Sequence, residues 1–170
     1  MTMAKKFKKQ GFNYSTQRTI FYRHLNELPL NYDYSQSRYF GLFLAIDTPA
    51  PEEDVIFSYA YHVIQEGMAF FSVWGPDCQK MHTIFDEVIH AIEAKDIVST
   101  NEETAILSVC HHHESIDEAL DSYLNATPSE YYADECEAEY VLCIGSRNLD
   151  KKVKELMKKQ IKFSKRKMKK

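Results

Sequence analysis

Four apolar segments, separated from one another by stretches of helix length, dominate the pattern of hydrophobic and polar positions along the chain. They cover residues 38–46, 69–74, 105–110 and 140–144. Each is rich in β-branched or aromatic residues and runs on without alternating polar positions, as in strands that are buried on both faces. Such strands, separated by helices, are typical of parallel pairing, so the pattern predicts an α/β fold.

The segments between these strands carry the signals that begin and end helices. Acidic residues follow Pro51, the pair Gly75-Pro76 follows the second strand, and Ser115 stands three residues before Glu118 as in a capping box. The predicted helices cover about residues 52–65, 76–94 and 115–125, and a last helix follows Gly145-Ser146.

We therefore expect a three-layer sandwich, in which a mostly parallel sheet of four or five strands has helices on both faces. The fifth strand is segment 19–25, which alternates less cleanly and whose direction the pattern leaves open. A length of 170 residues suits one domain. The chain is predicted to consist of a basic N-terminal arm (1–18), a single α/β domain (19–162) and a basic C-terminal tail (163–170).

Charge is strongly segregated along the chain, although the net charge is only −4. Residues 1–24 carry six basic side chains and no acid, and residues 151–170 carry eleven against one, whereas residues 25–150 carry four against 24 and sum to −20. An acidic body repels phosphate backbones, so nucleic acid or anionic lipid is expected to bind only through the basic ends. The alternative is that these ends are solvated or fold back onto the acidic body.

The chain also lacks the signals of membrane insertion and of secretion. No segment reaches the roughly 18 to 20 uncharged apolar residues that cross a bilayer, and no apolar core follows the lysine-rich start. The four cysteines form no CxxC pair. We expect a cytoplasmic protein with reduced thiols and no transmembrane segment, and the sequence leaves its oligomeric state open.

Candidate chemistry lies in the turns that follow the strands, because these turns meet at the carboxyl edge of a parallel sheet, where open α/β folds bind ligands. Cys78 falls in the first turn of a predicted helix, whose dipole favours a thiolate. Cys78 as nucleophile, with His111 and Asp47, is therefore the candidate catalytic set. The alternative is that Cys78 and His82, which share one apolar helix stripe, are packed core residues.

A metal site is a second possibility at the same edge. His82, His111 and His113 are candidate zinc ligands, but consecutive histidines point in different directions unless their loop curls around the ion. The alternative is a polar loop that hydrogen-bonds the start of the next helix. No cofactor is predicted, because the five glycines form none of the phosphate-binding motifs.

The segment Phe70–Cys78, which reads FFSVWGPDC, and the later strand with His111 and Glu114 resemble a family of small uncharacterised bacterial α/β proteins. The similarity covers about residues 38–147. Members share a WGPDC turn and a strand that ends in a histidine followed by a glutamate. Here Cys110 replaces a tryptophan and His112-His113 replaces an acidic pair. The resemblance favours pairing Cys78 with His111, and it implies no activity.

Two function classes follow from these observations. The favoured one is a non-catalytic interaction or accessory protein, of the inhibitor, immunity or defence type, that binds a protein partner through an acidic surface. Its basis is the acidic body and the stretch 129–140, which mixes tyrosines with carboxylates and suits recognition of a basic surface. The alternative is a Cys/His-dependent enzyme or zinc-dependent hydrolase at the carboxyl edge of the sheet.

Overall fold

A computed structural model describes residues 5–29, 32–95 and 104–169 and shows a mixed α/β fold, as predicted. The strands in these ranges are β1 (Lys5–Lys6), β2 (Lys8–Asn13), β3 (Arg18–Leu25), β4 (Tyr32–Asp33), β5 (Tyr39–Ile46), β6 (Met68–Trp74), β7 (Leu107–His111) and β8 (Cys136–Ile144). The helices are α1 (Glu53–Gln65), α2 (Cys78–Glu93), α3 (Ile116–Leu124), α4 (Glu130–Ala133) and α5 (Arg147–Lys167).

The main sheet has the strand order β2-β3-β8-β5-β6-β7, and β1 pairs with β4 separately. Every neighbouring pair in the main sheet is parallel except β2 with β3. In the register, Phe43 lies opposite Val141 and Val73 lies opposite Cys110. The prediction of a mostly parallel sheet is confirmed, but the sheet has six strands rather than four or five.

The additional strand comes from the segment that was predicted as a basic arm. β2 is antiparallel to β3, so residues 19–25 lie inside the sheet rather than at its edge, and they run parallel to β8. The side chains of Lys8, Lys9 and Gln10 are exposed on β2. Lysines on an outermost strand are a common protection against further strand pairing.

The hydrophobic core divides into two clusters, one on each side of the sheet. Alternate residues of β5 point to opposite sides: Leu42 and Leu44 pack with α1 and α2, whereas Phe43 and Ala45 pack with α3 and α5. Full burial of a leucine or phenylalanine side chain stabilises the fold by about 1.5 to 3 kcal/mol. The sheet thus holds the starts of α1, α2, α3 and α5 in fixed positions beyond its carboxyl edge.

The helix ends follow the sequence signals. The Oγ atom of Ser115 accepts a hydrogen bond from the backbone N–H of Glu118, and the Glu118 carboxylate accepts one from the backbone N–H of Ser115, which confirms the capping box. Ser146 caps α5 by accepting a bond from the Leu149 N–H. None of the helices in the described ranges has the length and apolar character that a bilayer span requires.

Candidate functional site

The turn between β6 and α2 packs tightly against the turn between β5 and α1. Gly75 has a φ of +140°, and a Cβ atom at this position would collide with the carbonyl oxygen of Ile46. The Asp77 carboxylate accepts a 2.8 Å hydrogen bond from the backbone N–H of Ala50. The space among these turns does not admit a water molecule. The WGPD segment therefore closes this part of the carboxyl edge with contacts inside the fold.

Asp47, one of the predicted catalytic residues, binds the start of α5. One carboxylate oxygen accepts a 2.9 Å hydrogen bond from the backbone N–H of Ser146, and the other accepts a bond from the Ser146 hydroxyl. The same hydroxyl oxygen caps the helix. The carboxylate of Asp47 thus orients the Ser146 cap of the helix that the sequence predicted after this turn.

His111 is the last residue of β7, and its side chain is buried on the side of the sheet that α3 covers. Its ring centroid lies 6.3 Å from that of Phe43, and its Nδ1 atom lies 2.8 Å from a carboxylate oxygen of Glu114. The indole N–H of Trp74 donates a 2.9 Å hydrogen bond to the backbone carbonyl of Glu114. Trp74, His111 and Glu114 therefore come together and join β6, β7 and the approach to α3.

The predicted pairing of Cys78 with His111 is not what the structure shows. Successive residues of a strand point to opposite faces, and Cys110 packs on the α2 side with Cys78. His111, the next residue, points to the α3 side. The sheet lies between the proposed nucleophile and its proposed base. The geometry of the described residues therefore does not support proton transfer between them.

The three predicted metal ligands are also distributed over different parts of the edge. His82 lies on the α2 side, where its Nε2 atom is 3.0 Å from the Ser108 hydroxyl and its Nδ1 atom is 3.5 Å from the Asp86 carboxylate. His113 is exposed in the turn. In residues 5–29, 32–95 and 104–169, no group of three or more His, Cys, Asp or Glu side chains is arranged to hold a metal ion. The zinc site stays a prediction without geometric support.

The thiol of Cys78 lies next to a second thiol, which the sequence did not identify as its partner. Cys78 is the first residue of α2 and is 2% exposed, and its Sγ atom is 2.6 Å from that of the partly exposed Cys110. Burial, followed by the contact with Cys78, raises the pKa of the Cys110 thiol to about 12. The available signal was the alternation in β7, which places Ser108 and Cys110 together on the side facing α2.

A cleft of about 330 Å³ lies at the opposite edge of the sheet, near the amino ends of β5 and β6. Three tyrosines stand around it, and the ring centroid of Tyr39 lies 4.8 Å from that of Tyr132 and 6.0 Å from that of Tyr131. Tyr131 is 58% exposed. The other lining residues are Ile64, Gln65, Gly67, Met68, Ile92, Glu93, Thr104 and Ile106. The cleft therefore combines an apolar floor with an aromatic rim.

Charged groups surround the tyrosine rim. The guanidinium of Arg38 lies 5.2 Å from the Tyr39 ring centroid and donates hydrogen bonds of 2.7 and 2.9 Å to the Glu135 carboxylate. Glu130 and Asp134, at the two ends of α4, are exposed beside Tyr131 in the chain. The rim already holds one guanidinium between a carboxylate and an aromatic ring.

Most of the exposed residues in the stretch 129–140 lie in its first part. Residues 130–135 are mostly exposed, whereas Glu139 and Tyr140 are fully buried in β8. Sequence reasoning found the tyrosines of α4 but missed Tyr39 and the apolar floor. These residues meet through strand register and helix packing, which adjacent positions in the sequence do not reveal.

The two basic ends of the chain lie together. The Ser164 hydroxyl in α5 accepts a 3.1 Å hydrogen bond from the backbone N–H of Tyr14, and Ile161 lies beside Gly11 of β2. Lys8 and Lys9 are exposed on β2. The exposed basic residues of α5 are Arg147, Lys151, Lys152, Lys158, Lys159, Lys162, Lys165, Arg166 and Lys167. Lys8 lies opposite Tyr22, which packs on the α5 side of the sheet, whereas Lys9 lies opposite Phe21 on the other side. We call Lys8 and these α5 residues the basic surface.

Comparison with known proteins gives a family assignment. No curated protein and no solved structure matches the chain. A family model described as "Domain of unknown function (DUF7684)" matches residues 18–160, which include all of the main sheet except β2. Because this match spans most of the sequence, the chain belongs to the DUF7684 family.

Proposed function

We propose that the protein is a non-catalytic interaction protein that binds a basic segment of a partner protein in the tyrosine-rimmed cleft. The observation that carries this proposal is a cleft of about 330 Å³ that combines an apolar floor, three tyrosines and Glu93, next to the exposed carboxylates of residues 130–135. Inhibitor, immunity and defence-type roles all belong to this class. A cytoplasmic setting is part of the proposal, in keeping with the free thiols of the four cysteines.

The size of the cleft favours an anchoring side chain over a whole metabolite. A volume of about 330 Å³ is at the lower end of the roughly 300 to 1,000 Å³ range of ligand pockets. Ile64, Met68 and Ile92 offer an apolar floor to a leucine or phenylalanine of the partner. Tyrosine rings add contact area at low entropic cost, as they do at many protein interfaces.

The electrostatics of the rim favour a partner whose anchor is flanked by arginine. The chain already contains an arginine bound in this way, because the guanidinium of Arg38 lies against the Tyr39 ring and pairs with the Glu135 carboxylate. Exposed Tyr131, with Glu130 and Asp134 in the same short segment, offers the same combination to an incoming arginine. The charge of −20 on residues 25–150 attracts a basic partner over a longer range.

A peptide-binding experiment tests this proposal. Fluorescence anisotropy would compare labelled peptides that contain a central leucine flanked by arginines with peptides in which glutamates replace the arginines. We expect the arginine peptides to bind and the Tyr131→Ala variant to weaken this binding about tenfold, as truncation of an aromatic anchor commonly does. Tyr61→Ala is the matched control, because Tyr61 is an exposed tyrosine of α1 outside the cleft lining.

Two outcomes would contradict the proposal. If arginine and glutamate peptides bind equally, the acidic rim does not select the partner. If Tyr61→Ala weakens binding as much as Tyr131→Ala, the binding surface lies outside the cleft.

A second candidate function follows from the convergence of the basic ends. The basic surface presents the exposed Lys and Arg side chains of α5 on the side of the sheet where Lys8 of β2 also lies. This arrangement supports binding of phosphate groups, whether of nucleic acid or of anionic lipid. It is compatible with protein binding in the cleft, because the two surfaces involve different residues.

A further inference from the structure

The contact between α2 and β7 brings together two free thiols that no step of the proposed function uses. We propose that Cys78 and Cys110 form a redox-active pair that closes reversibly to an intramolecular disulfide. The pair would be oxidised by a low-molecular-weight disulfide, such as oxidised glutathione. This inference is independent of the partner-binding proposal, because the cleft lies at the other edge of the sheet.

The geometry requires little movement for the bond to form. The Sγ atoms of Cys78 and Cys110 are 2.6 Å apart, against about 2.05 Å in a disulfide. The two residues come from different elements, the first turn of α2 and the outermost strand β7. The same helix and strand also meet one turn further on, where His82 contacts Ser108. The thiols are thus held face to face by an existing helix-to-strand contact.

The remaining cysteines are placed so that the pairing is specific. Cys136 and Cys143 both lie in the core cluster on the α3 and α5 side, and they are 4% and 0% exposed. The sheet separates them from Cys78 and Cys110. Cys136 and Cys143 therefore serve as internal controls.

The two cysteines of the pair have different roles in the exchange. Cys110 is the more exposed and receives the oxidant, so its thiolate attacks the disulfide, forms a mixed disulfide and releases one thiol. Cys78, whose Sγ atom already lies beside that of Cys110, then gives up its proton, attacks the Cys110 sulfur and releases the second thiol. Two electrons pass from the protein to the oxidant, and the two thiol protons end on the released thiols.

The test uses the full-length folded protein in buffers of oxidised and reduced glutathione. After quenching with acid and alkylating the remaining thiols, mass spectrometry would count the free thiols and identify linked peptides. We expect the count to fall from four to two, with one cross-link between Cys78 and Cys110. Excess reduced glutathione should restore all four. A Cys143→Ser variant should form the same cross-link.

Single substitutions distinguish the two roles. Cys78→Ser should leave glutathione attached to Cys110, because the resolving thiol is missing, whereas Cys110→Ser should leave Cys78 largely unmodified. Circular dichroism would verify that each variant folds. If a variant does not fold, the presence or absence of the Cys78–Cys110 cross-link in the wild-type protein tests the proposal. The proposal is overturned if no Cys78–Cys110 link forms, if it forms only in denaturant, or if Cys136 and Cys143 react as fast.

Discussion

Glu139 is a carboxyl group that β8 places inside the protein, fully buried on the side of the sheet that α3 and α5 cover. One of its carboxylate oxygens lies 3.0 Å from the guanidinium of Arg18, which also donates a hydrogen bond to the Ala126 carbonyl. Burial raises the pKa of Glu139 to about 7, and the charge of Arg18 opposes that shift. Glu139 therefore titrates near neutral pH, while an unfolded glutamate titrates near 4.5.

We expect this carboxyl group to make the protein less stable as the pH rises. Since its pKa is higher in the folded state, the folded protein binds more protons between about pH 4.5 and 7. Its contribution to the free energy of unfolding is greatest below pH 4.5 and is lost as the pH rises through 7. Urea unfolding between about pH 5 and pH 8 measures how the free energy of unfolding changes with pH.

The Glu139→Gln variant should have a flatter pH profile than the wild type, even though an unpaired Arg18 lowers its absolute stability. Glu137→Gln is the matched control, because Glu137 is exposed on the same strand. Equal slopes for the wild type and Glu139→Gln would show that this carboxyl group does not titrate in the range.

The predicted Cys78–His111 pair shows how far the contacts of a single residue can be predicted from the sequence. The apolar pattern ended the third strand at Cys110 and left His111 in a turn, where its direction is unconstrained. In the structure β7 continues through His111, so neighbouring side chains point to opposite faces. Because the strand is one residue longer, His111 points away from Cys78, and Cys110 is the neighbour of Cys78. Which side chains become neighbours therefore depended on the exact end of a strand, which the apolar pattern did not give.

At the scale of elements, those with strong local signals were predictable. The start of α3 follows from a capping box and the end of α1 from Gly67, which has a φ of +108°. β2 was missed because Lys8-Lys9-Gln10 has no apolar pattern, although the strand pairs with β3 from Lys8 to Asn13. The four residues of α4 are too few to show a helical period. Elements that depend on tertiary pairing thus escape a local pattern.

The capping box of α3 should contribute measurably to stability. Ser115→Ala removes the hydroxyl that accepts from the Glu118 N–H, and we expect the free energy of unfolding to fall by about 1 kcal/mol. Ser122→Ala, at an exposed position of the same helix, is the control and should change stability by less than about 0.5 kcal/mol. Chemical denaturation measures both. If Ser115→Ala and Ser122→Ala lowered the free energy of unfolding equally, the capping hydrogen bond of Ser115 would contribute nothing to stability.

At the scale of the whole molecule, the charge segregation becomes a property of the surface. The sequence gives charges of +6 for residues 1–24, −20 for residues 25–150 and +10 for residues 151–170. It does not reveal that the two basic ends lie next to each other. They do so because β2 joins the sheet beside β3 and α5 packs over it. The tyrosine cleft is likewise an assembly of separate segments, since β5, α1, α2 and α4 all contribute to its lining. Such surfaces depend on topology, which no local pattern in the chain encodes.

Phosphate binding by the basic surface makes the last prediction. We expect the protein to bind duplex DNA weakly at low salt, with an affinity that falls steeply between about 50 and 200 mM salt, because each phosphate contact releases counterions. Replacing Lys158, Lys159 and Lys162 by glutamate should abolish binding, since all three are exposed on α5. Lys80→Glu, an exposed lysine on α2, is the control and should leave binding nearly unchanged.

Vesicles of anionic phospholipid form a second arm of this experiment and distinguish the two sources of phosphate. Binding to vesicles but not to DNA identifies a membrane surface as the ligand, and the reverse identifies nucleic acid. In either arm the triple substitution should remove about six units of favourable charge, because three positive side chains become negative. Binding that is insensitive to salt or survives this substitution would place the phosphate contacts elsewhere. The basic surface would then be a solvated face that balances the acidic body.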